Sequence, residues 1–594
     1  MSRPQTAQEL IHWLEEGAGA RGILLAAVLA VTAVVSLRIA WVQFHGPASE
    51  AVLVQADTAR QLARGEGFTT LVNYPQTVAF FQRRGVAFDP RRPYPELHQA
   101  PFYSIVIAGA LRVLPAGLRE SLFARAPVPP DGFAADYFLL GLNLGLFWLA
   151  AALTYGLARR LFDARTGWLA ALALLLSVAA WQQTVAVNGT TLLMVLVLGW
   201  FWILARLEEE GDPAVRGSAG WLVGLGGVGG LLFLTEYSAG ALTLVGLAHV
   251  AARFSGRGRW PALALVAAGF ALVSGPWVGR NLVLTGHPVA LAAQNVALKF
   301  GDPTAEPASQ RAMLTAAAPA VDLNKLGNKV LTSLRENLRT RLWAGGGLWL
   351  TAFFVTGWLY AFRSPVANRL RWTFTGALGV MLVAQAACNS GESERLAPYW
   401  LAPMIMIFGA GFFFVLLGSN AVLGAWPRLC ATGLLVLQAL PLAHDALEPR
   451  RLHFNYPPYF PGLFIGMRQE LERRDASGRF GLMADVPAGV AWYGRQRVWA
   501  QPVKMRDFYA ITLEQPIGEL LLTPRTLDRP FFTELASRPA PPGALQPANR
   551  FGDWGLVYGG LFNGKFPPEF PLGSPQRLAE NLYVMLNPAL PPAR

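Results

Sequence analysis

Apolar runs of membrane-spanning length recur along this chain and constrain its fold more than any other feature. They cover residues 23–43, 136–158, 167–187, 190–207, 217–235, 237–254, 260–279, 343–362, 372–388, 399–418 and 424–443. A hydrocarbon core ~30 Å thick takes about 20 apolar residues per helix. Inside it each segment must satisfy its own backbone groups, which selects helices. The sequence therefore predicts a polytopic α-helical membrane protein with about eleven transmembrane helices. Composition agrees, with 53% of the residues hydrophobic and 15% charged, against about 45–50% and 25% in soluble domains. The first run is too long for the core of a cleaved signal peptide and reads as a signal anchor. No internal repeat is visible, which leaves a transporter of two matching halves without support.

The net charge of +13 and pI of about 10.0 do not point to nucleic acid, because the basic residues are scattered along the chain. They suit cytoplasmic loops and anionic headgroups. Arg159, Arg160, Arg165, Arg206, Arg216, Arg253, Arg257, Arg259, Arg363, Arg369, Arg371 and Arg428 all fall on one side if the N-terminus is cytoplasmic. The opposite short turns, near Asn188 and Glu236, carry no Lys or Arg, and Asn389–Pro398 carries only Arg395. By the positive-inside rule, residues 44–135, 280–342 and 444–594 are then extracytoplasmic. This orientation requires Pro101–Pro115 not to cross. At about 15 residues it reads as an interfacial or re-entrant helix.

The chain divides into a transmembrane module, 1–443, and a small extracytoplasmic α/β domain, 444–594. In the first outer loop, Val52–Leu62 reads as a short amphipathic helix stopped by Gly65 and Gly67. After residue 446, GRFGLMADVP, RQRVWAQP, GELLLTP and NLYVMLNP read as short buried strands, with AGVAWYG and RPFFTELAS as helices between them. Cys388 and Cys430 lie inside apolar runs and read as small fillers. No Cys-x-x-Cys, zinc-protease or phosphate-loop pattern occurs.

Six segments carry a resemblance when taken in order: DTARQLARGEGFTT at 57–70, HQAPFY at 98–103, RRLFDARTGWLAALALLLS at 159–177, LTEYSAG at 234–240, GPWVGRNLVLTGHPV at 275–289 and SERLAPYWLAP at 393–403. Together they resemble the GT-C superfamily of membrane glycosyltransferases. The nearest likeness is to the family 39 group, which includes protein O-mannosyltransferases and aminoarabinose transferases of lipid A. The resemblance implies an inverting transferase with a polyprenyl-phosphate-linked sugar as donor. The acceptor would be a lipid, glycan or protein hydroxyl at the periplasmic face of a bacterial inner membrane. Membrane lipids are then partners, and a divalent metal is left open as a cofactor.

The resemblance places the catalytic carboxylate at Asp57, with Glu50 as the weaker alternative. Transfer needs a base for the acceptor's proton. The other reading of Asp57 is an acid at a helix start, held by the dipole. Arg280, Arg395 and Arg60 are candidates for the donor phosphate, since a guanidinium stays charged and binds oxygens in pairs. Each also reads as a headgroup-facing or ion-paired arginine, and Arg64 shares a helix face with Arg60. Glu236, His98, Tyr399 and Asn188 are candidates for acceptor or sugar contacts. Trp277 and Tyr399 can line a sugar pocket but fit the interface belt of aromatics better. Three positions depart from the family pattern. Glu236 replaces a basic residue, Asn188 an Asp, and Gln99 a Lys, with His98 able to substitute for the Lys if protonated. The departures imply altered specificity or lost activity. A lipid flippase would instead need paired ionisable residues at mid-membrane, where the sequence offers little beyond His249.

Overall fold

The computed structural model describes residues 18–124, 132–209, 215–298, 307–388, 395–449, 454–527 and 552–591. Among them, seven helices are long and apolar enough to cross a membrane: Leu25–Gln43, Ala134–Leu161, Thr190–Glu209, Gly217–Thr235, Gly256–Thr285, Ala402–Ser419 and Pro427–Leu447. Three bent pairs raise the number to ten if each is one span. That range lies close to the expected number of about eleven, and two of the apolar runs fall outside it for local reasons. Residues 237–253 split into a 3-10 turn, Tyr237–Ala241, and a 12-residue helix, Leu242–Arg253. Pro365–Cys388 is long enough but carries Asn368, Arg369 and Arg371 near its start.

Pro101–Pro115 belongs to one bent pair. Phe102–Val113 turns through 115° into Ala116–Ala124. Leu114, held extended before Pro115, makes the elbow. Twelve helical residues reach only ~18 Å, well short of the hydrocarbon thickness.

Small residues let the spans approach closely. A Cβ on Gly226 would stand 1.9 Å from the Val266 carbonyl oxygen, and one on Gly269 would stand 2.1 Å from that of Val223. Gly217–Thr235 and Gly256–Thr285 therefore pack nearly backbone to backbone, the usual way helices associate where lipid supplies no hydrophobic drive.

The first outer helix runs over Glu50–Arg64, longer than expected at its N-terminal end. It stops at Gly65, whose φ of 88° is left-handed and whose N–H returns to the Leu62 carbonyl. Beyond the last span lies a mixed six-stranded sheet. Its strands are β1 (Val72–Asn73), β2 (Gly481–Ala484), β3 (Val498–Ala500), β4 (Ile517–Leu522), β5 (Gln576–Ala579) and β6 (Leu582–Leu586), in the order β1-β3-β2-β4-β6-β5. Strands β1 to β4 run parallel, while β6 is antiparallel to both β4 and β5. The four strands expected from sequence are β2, β3, β4 and β6. The edge strand β1 comes from the first outer loop, so the sheet is completed by chain more than 400 residues upstream. AGVAWYG forms a short helix and a π-turn, Pro487–Gly489 and Val490–Gly494. RPFFTELAS lies outside the described residues.

Candidate active site

The first outer helix carries two carboxylates in unlike surroundings. Asp57 is mid-helix and has no solvent exposure, so the helix-start reading does not hold. Arg60 Nη2 donates to Asp57 Oδ1 at 2.5 Å, and the Leu71 amide and Thr70 hydroxyl donate to Oδ2 at 2.8 and 3.1 Å. Arg60 also donates to the carbonyls of Trp492 and Ala491, at 3.0 and 2.8 Å. Its guanidinium lies 5.4 Å from the ring centres of both Phe123 and Trp492. Burial pushes Arg60 down to about 10, with Asp57 opposing the shift. The Arg60 expected at a phosphate is instead enclosed in a joint between this helix and the C-terminal module.

Asp136, which sequence reasoning passed over, braces the same joint from the start of Ala134–Leu161. Trp492 Nε1 donates to its Oδ1 at 2.8 Å and the Tyr493 hydroxyl to its Oδ2 at 3.0 Å. Residues 491–493 are thus held from two sides.

Glu50, one helix end away, is partly open. The Tyr456 hydroxyl donates to Oε2 at 3.1 Å and the Tyr74 hydroxyl to Oε1 at 3.4 Å. Arg525 Nη1 is 3.7 Å from Oε2, and its guanidinium lies 4.7 Å from the Tyr456 ring centre.

From Tyr74 the polar cluster continues into the loop before Phe102. Tyr74 meets the His98 ring edge-on at 5.5 Å, and His98 Nε2 is 3.0 Å from the Thr77 hydroxyl. Burial, then the charge of Arg311, pushes His98 well below its usual range. Burial disfavours its cationic form, which weakens it as a substitute for a lysine. Glu96 is buried; its Oε1 accepts the amides of His98 and Gln99 at 2.6 and 3.2 Å. Burial raises the Glu96 carboxyl, while Arg311 and Arg280 pull it down. Glu96 had no sequence signal beyond its place two residues before HQAPFY, and Arg311 had none.

Arg280 projects from the outer part of Gly256–Thr285. It lies 4.4 Å from the Trp277 ring centre and donates to the Glu96 carbonyl at 3.3 Å. Trp277 Nε1 donates to the Tyr237 hydroxyl at 2.9 Å, and that hydroxyl donates to the Gln99 carbonyl at 3.3 Å. Arg395 Nε is 3.3 Å from Glu236 Oε2, and its Nη1 donates to the Thr235 carbonyl at 3.0 Å. Burial raises Glu236 and Arg395 opposes it. Glu236 is thus the counter-ion of a candidate phosphate ligand. Glu392 and Glu394 lie outside the described residues. Gln385 holds the Arg395 loop, donating to the Arg395 carbonyl at 2.9 Å and accepting the Ala397 amide at 2.6 Å.

Asn188 shapes a turn. Its Nδ2 donates to Gln183 Oε1 at 3.0 Å, and its Oδ1 accepts the Thr190 amide at 3.1 Å. Gly189, at φ 81°, faces the Tyr103 ring, and a Cβ there would lie 2.9 Å from Tyr103 Cγ. Tyr103 donates to the Val187 carbonyl at 2.7 Å, which ties HQAPFY to this turn. Tyr399 stands in the short helix Ala397–Trp400, half-buried beside Arg395 in sequence. Among the described residues no three His, Cys, Asp or Glu side chains are grouped to hold a metal ion.

Known proteins agree with this architecture. The family model for dolichyl-phosphate-mannose-protein mannosyltransferase matches residues 146–278. The structure resembles ArnT from Cupriavidus metallidurans bound to undecaprenyl phosphate, with TM-score 0.54 and 14% identity over 95% of this chain and 98% of that one. It also resembles the Archaeoglobus fulgidus oligosaccharyltransferase complexed with zinc and sulfate, with TM-score 0.52 and 12% identity over 86% of this chain and 69% of that one. No curated protein matches in sequence. The chain shares the fold of these two structures, and its long apolar helices make it a multi-pass membrane protein.

Proposed function

We propose that the chain transfers a glycosyl group from a polyprenyl-phosphate-linked sugar to an acceptor hydroxyl, at the periplasmic face of a bacterial inner membrane. The observation that carries this reading is one cluster that unites a partly open carboxylate with two arginines at the ends of spans. Glu50 reaches Tyr74, Tyr74 touches His98, and the loop through Glu96 and Gln99 reaches Arg280 and Tyr237, beside Glu236 and Arg395.

In this reading the donor phosphate lies against Arg280 and Arg395, which stabilise the charge that grows on it as the glycosidic bond breaks. Glu50 accepts the proton of the acceptor hydroxyl as its oxygen bonds to the anomeric carbon, which inverts that centre. Tyr456 and Arg525 hold the Glu50 carboxylate in place. Asp57 acts at one remove, as the counter-ion of Arg60. Its two oxygens are already engaged, so direct base catalysis by Asp57 requires the joint to open. Glu236, Tyr399, His98 and Asn188 shape the sugar and acceptor side.

The module division at residue 443 and the cytoplasmic N-terminus belong to the same proposal, supported by the one-sided arginines. A deletion strain tests the function. It should accumulate a polyprenyl-phosphate sugar and lack one envelope modification, and the intact gene should reverse both. An unchanged lipid-linked sugar pool would refute transfer. Binding of polyprenyl phosphate without that change would favour a non-catalytic relative, the reading that the enclosed Asp57 supports.

A further inference from the structure

The parallel part of the C-terminal sheet has a feature that the transfer chemistry does not use. The chain passes from β2 out to β3, then back across β2 to β4, so the winding direction reverses between β2 and β4. In open parallel sheets a crevice forms outside the carboxyl ends of the strands at such a reversal, and ligands bind there. Three polar residues stand at this point: Asp485 directly after β2, Gln501 directly after β3 and Thr523 directly after β4.

Their hydrogen bonding is lopsided. Asp485 Oδ2 accepts from the Thr523 amide and hydroxyl at 2.8 and 2.7 Å, and from the Thr526 amide and hydroxyl at 3.2 and 2.7 Å. Asp485 Oδ1 has no partner. Thr526 Oγ1 also lies 3.5 Å from Gln501 Oε1, while Gln501 Nε2 has no partner. Both side chains are more than nine-tenths buried, at 3% and 1% exposure. A buried acceptor and a buried donor left unpaired each carry a desolvation penalty. The two side chains meet at Thr526, whose hydroxyl lies 2.7 Å from Asp485 Oδ2 and 3.5 Å from Gln501 Oε1. A hydroxyl is the kind of group that suits both unpaired atoms, since it donates to a carboxylate and accepts from an amide. An anion would suit only the amide.

Arg525 connects this pair to the candidate active site. Its charge acts on Asp485, and its guanidinium contacts Glu50 and Tyr456. We propose that Asp485 and Gln501 form an acceptor subsite that grips a hydroxyl of a sugar ring, with Arg525 on its side toward Glu50. The acceptor class is then a glycan or glycolipid headgroup. This rests on the transferase reading, but its test does not need turnover.

Saturation-transfer NMR on the full-length chain in nanodiscs can use methyl α-D-glucopyranoside, mannopyranoside and galactopyranoside as probes, with cyclohexanol as shape control. At least one pyranoside should take up saturation while cyclohexanol does not. Gln501→Leu and Asp485→Asn should each weaken that binding at least about fivefold, the equivalent of ~1 kcal/mol, with little change in Tm. The double exchange Asp485→Asn with Gln501→Glu restores one donor and one acceptor in swapped places and should recover most of the loss. Glu50→Gln should still bind, so a failed transfer assay leaves this result standing. Absence of any pyranoside signal, or equal signals from the wild type and both single variants, would overturn the subsite.

Discussion

Glu50 and Asp57 share one helix, about two turns and ~10 Å apart, yet they are embedded in opposite ways. Asp57 has no exposure and gives both oxygens to Arg60, Thr70 and Leu71. Glu50 keeps 14% side-chain exposure and is met by two tyrosine hydroxyls and a more distant arginine. The contrast teaches that an acidic residue in the expected helix is not thereby the reacting one. A carboxylate whose lone pairs are filled by fixed donors is a structural tie. A carboxylate that keeps some exposure can meet a substrate proton.

Substitutions can break that comparison. The largest effect is expected at Glu50. Glu50→Gln should lower transfer about 10²- to 10⁴-fold, the usual worth of a general base, with Tm nearly unchanged; turnover of the lipid-linked sugar and thermal unfolding together check it. Asp57→Asn should show the reverse emphasis. It strands Arg60 as a buried unpaired charge and should cost about 3–5 kcal/mol of stability. Removing both partners with Asp57→Asn and Arg60→Met should recover most of that loss in the same unfolding assay.

A third acid sharpens the comparison through pH. Glu519 on β4 is buried and its Oε2 has no partner. Burial pushes its carboxyl from 4.5 up to about 7. The folded state therefore holds a proton that the unfolded chain releases. The penalty is absent below pH 4.5, grows as pH rises and is complete above about 7. Its upper bound is ~3 kcal/mol at 1.36 kcal/mol per unit. Glu519→Gln should unfold like the wild type at pH 4 and at a higher temperature at pH 8. Equal Tm values at pH 8 would refute the assignment. The smallest expected effects are at the arginines. Arg280→Met and Arg395→Met each remove one charge-assisted contact, ~1.5–3 kcal/mol, and should raise the donor KM about 10- to 100-fold. Arg395→Met should have the larger structural side effect, because it leaves Glu236 without its counter-ion.

Much of the fold could be read from the sequence because it is written in local patterns. Long apolar runs mark the helices, Gly65 marks the end of the outer helix, and β-rich segments bounded by Pro and Gly mark four strands. What could not be read depends on distant chain. Strand β1 looks like loop until Val498–Ala500 supplies its partner. Asp136 looks like an ordinary first-turn acid until Trp492 and Tyr493 arrive. The site divides in the same way. Arg280, Arg395 and Glu236 were marked by motifs at the ends of spans, and their meeting with Glu96 and Thr235 follows the helix packing. The enclosure of Asp57 is not legible in sequence because burial and partner count are tertiary properties. No spacing in DTARQLARGEGF shows that Arg60 turns back onto residues 491–492.

The most direct test of the central claim sets the two carboxylates against each other in one assay. Membranes of a deletion strain would carry either Glu50→Gln or the paired Asp57→Asn and Arg60→Met variant, with decay of the accumulated polyprenyl-phosphate sugar as the readout. The paired variant should clear the pool within about tenfold of the wild-type rate, while Glu50→Gln should leave it standing. Clearance by Glu50→Gln, with a folded but inert paired variant, would contradict the claim and return the chemistry to Asp57.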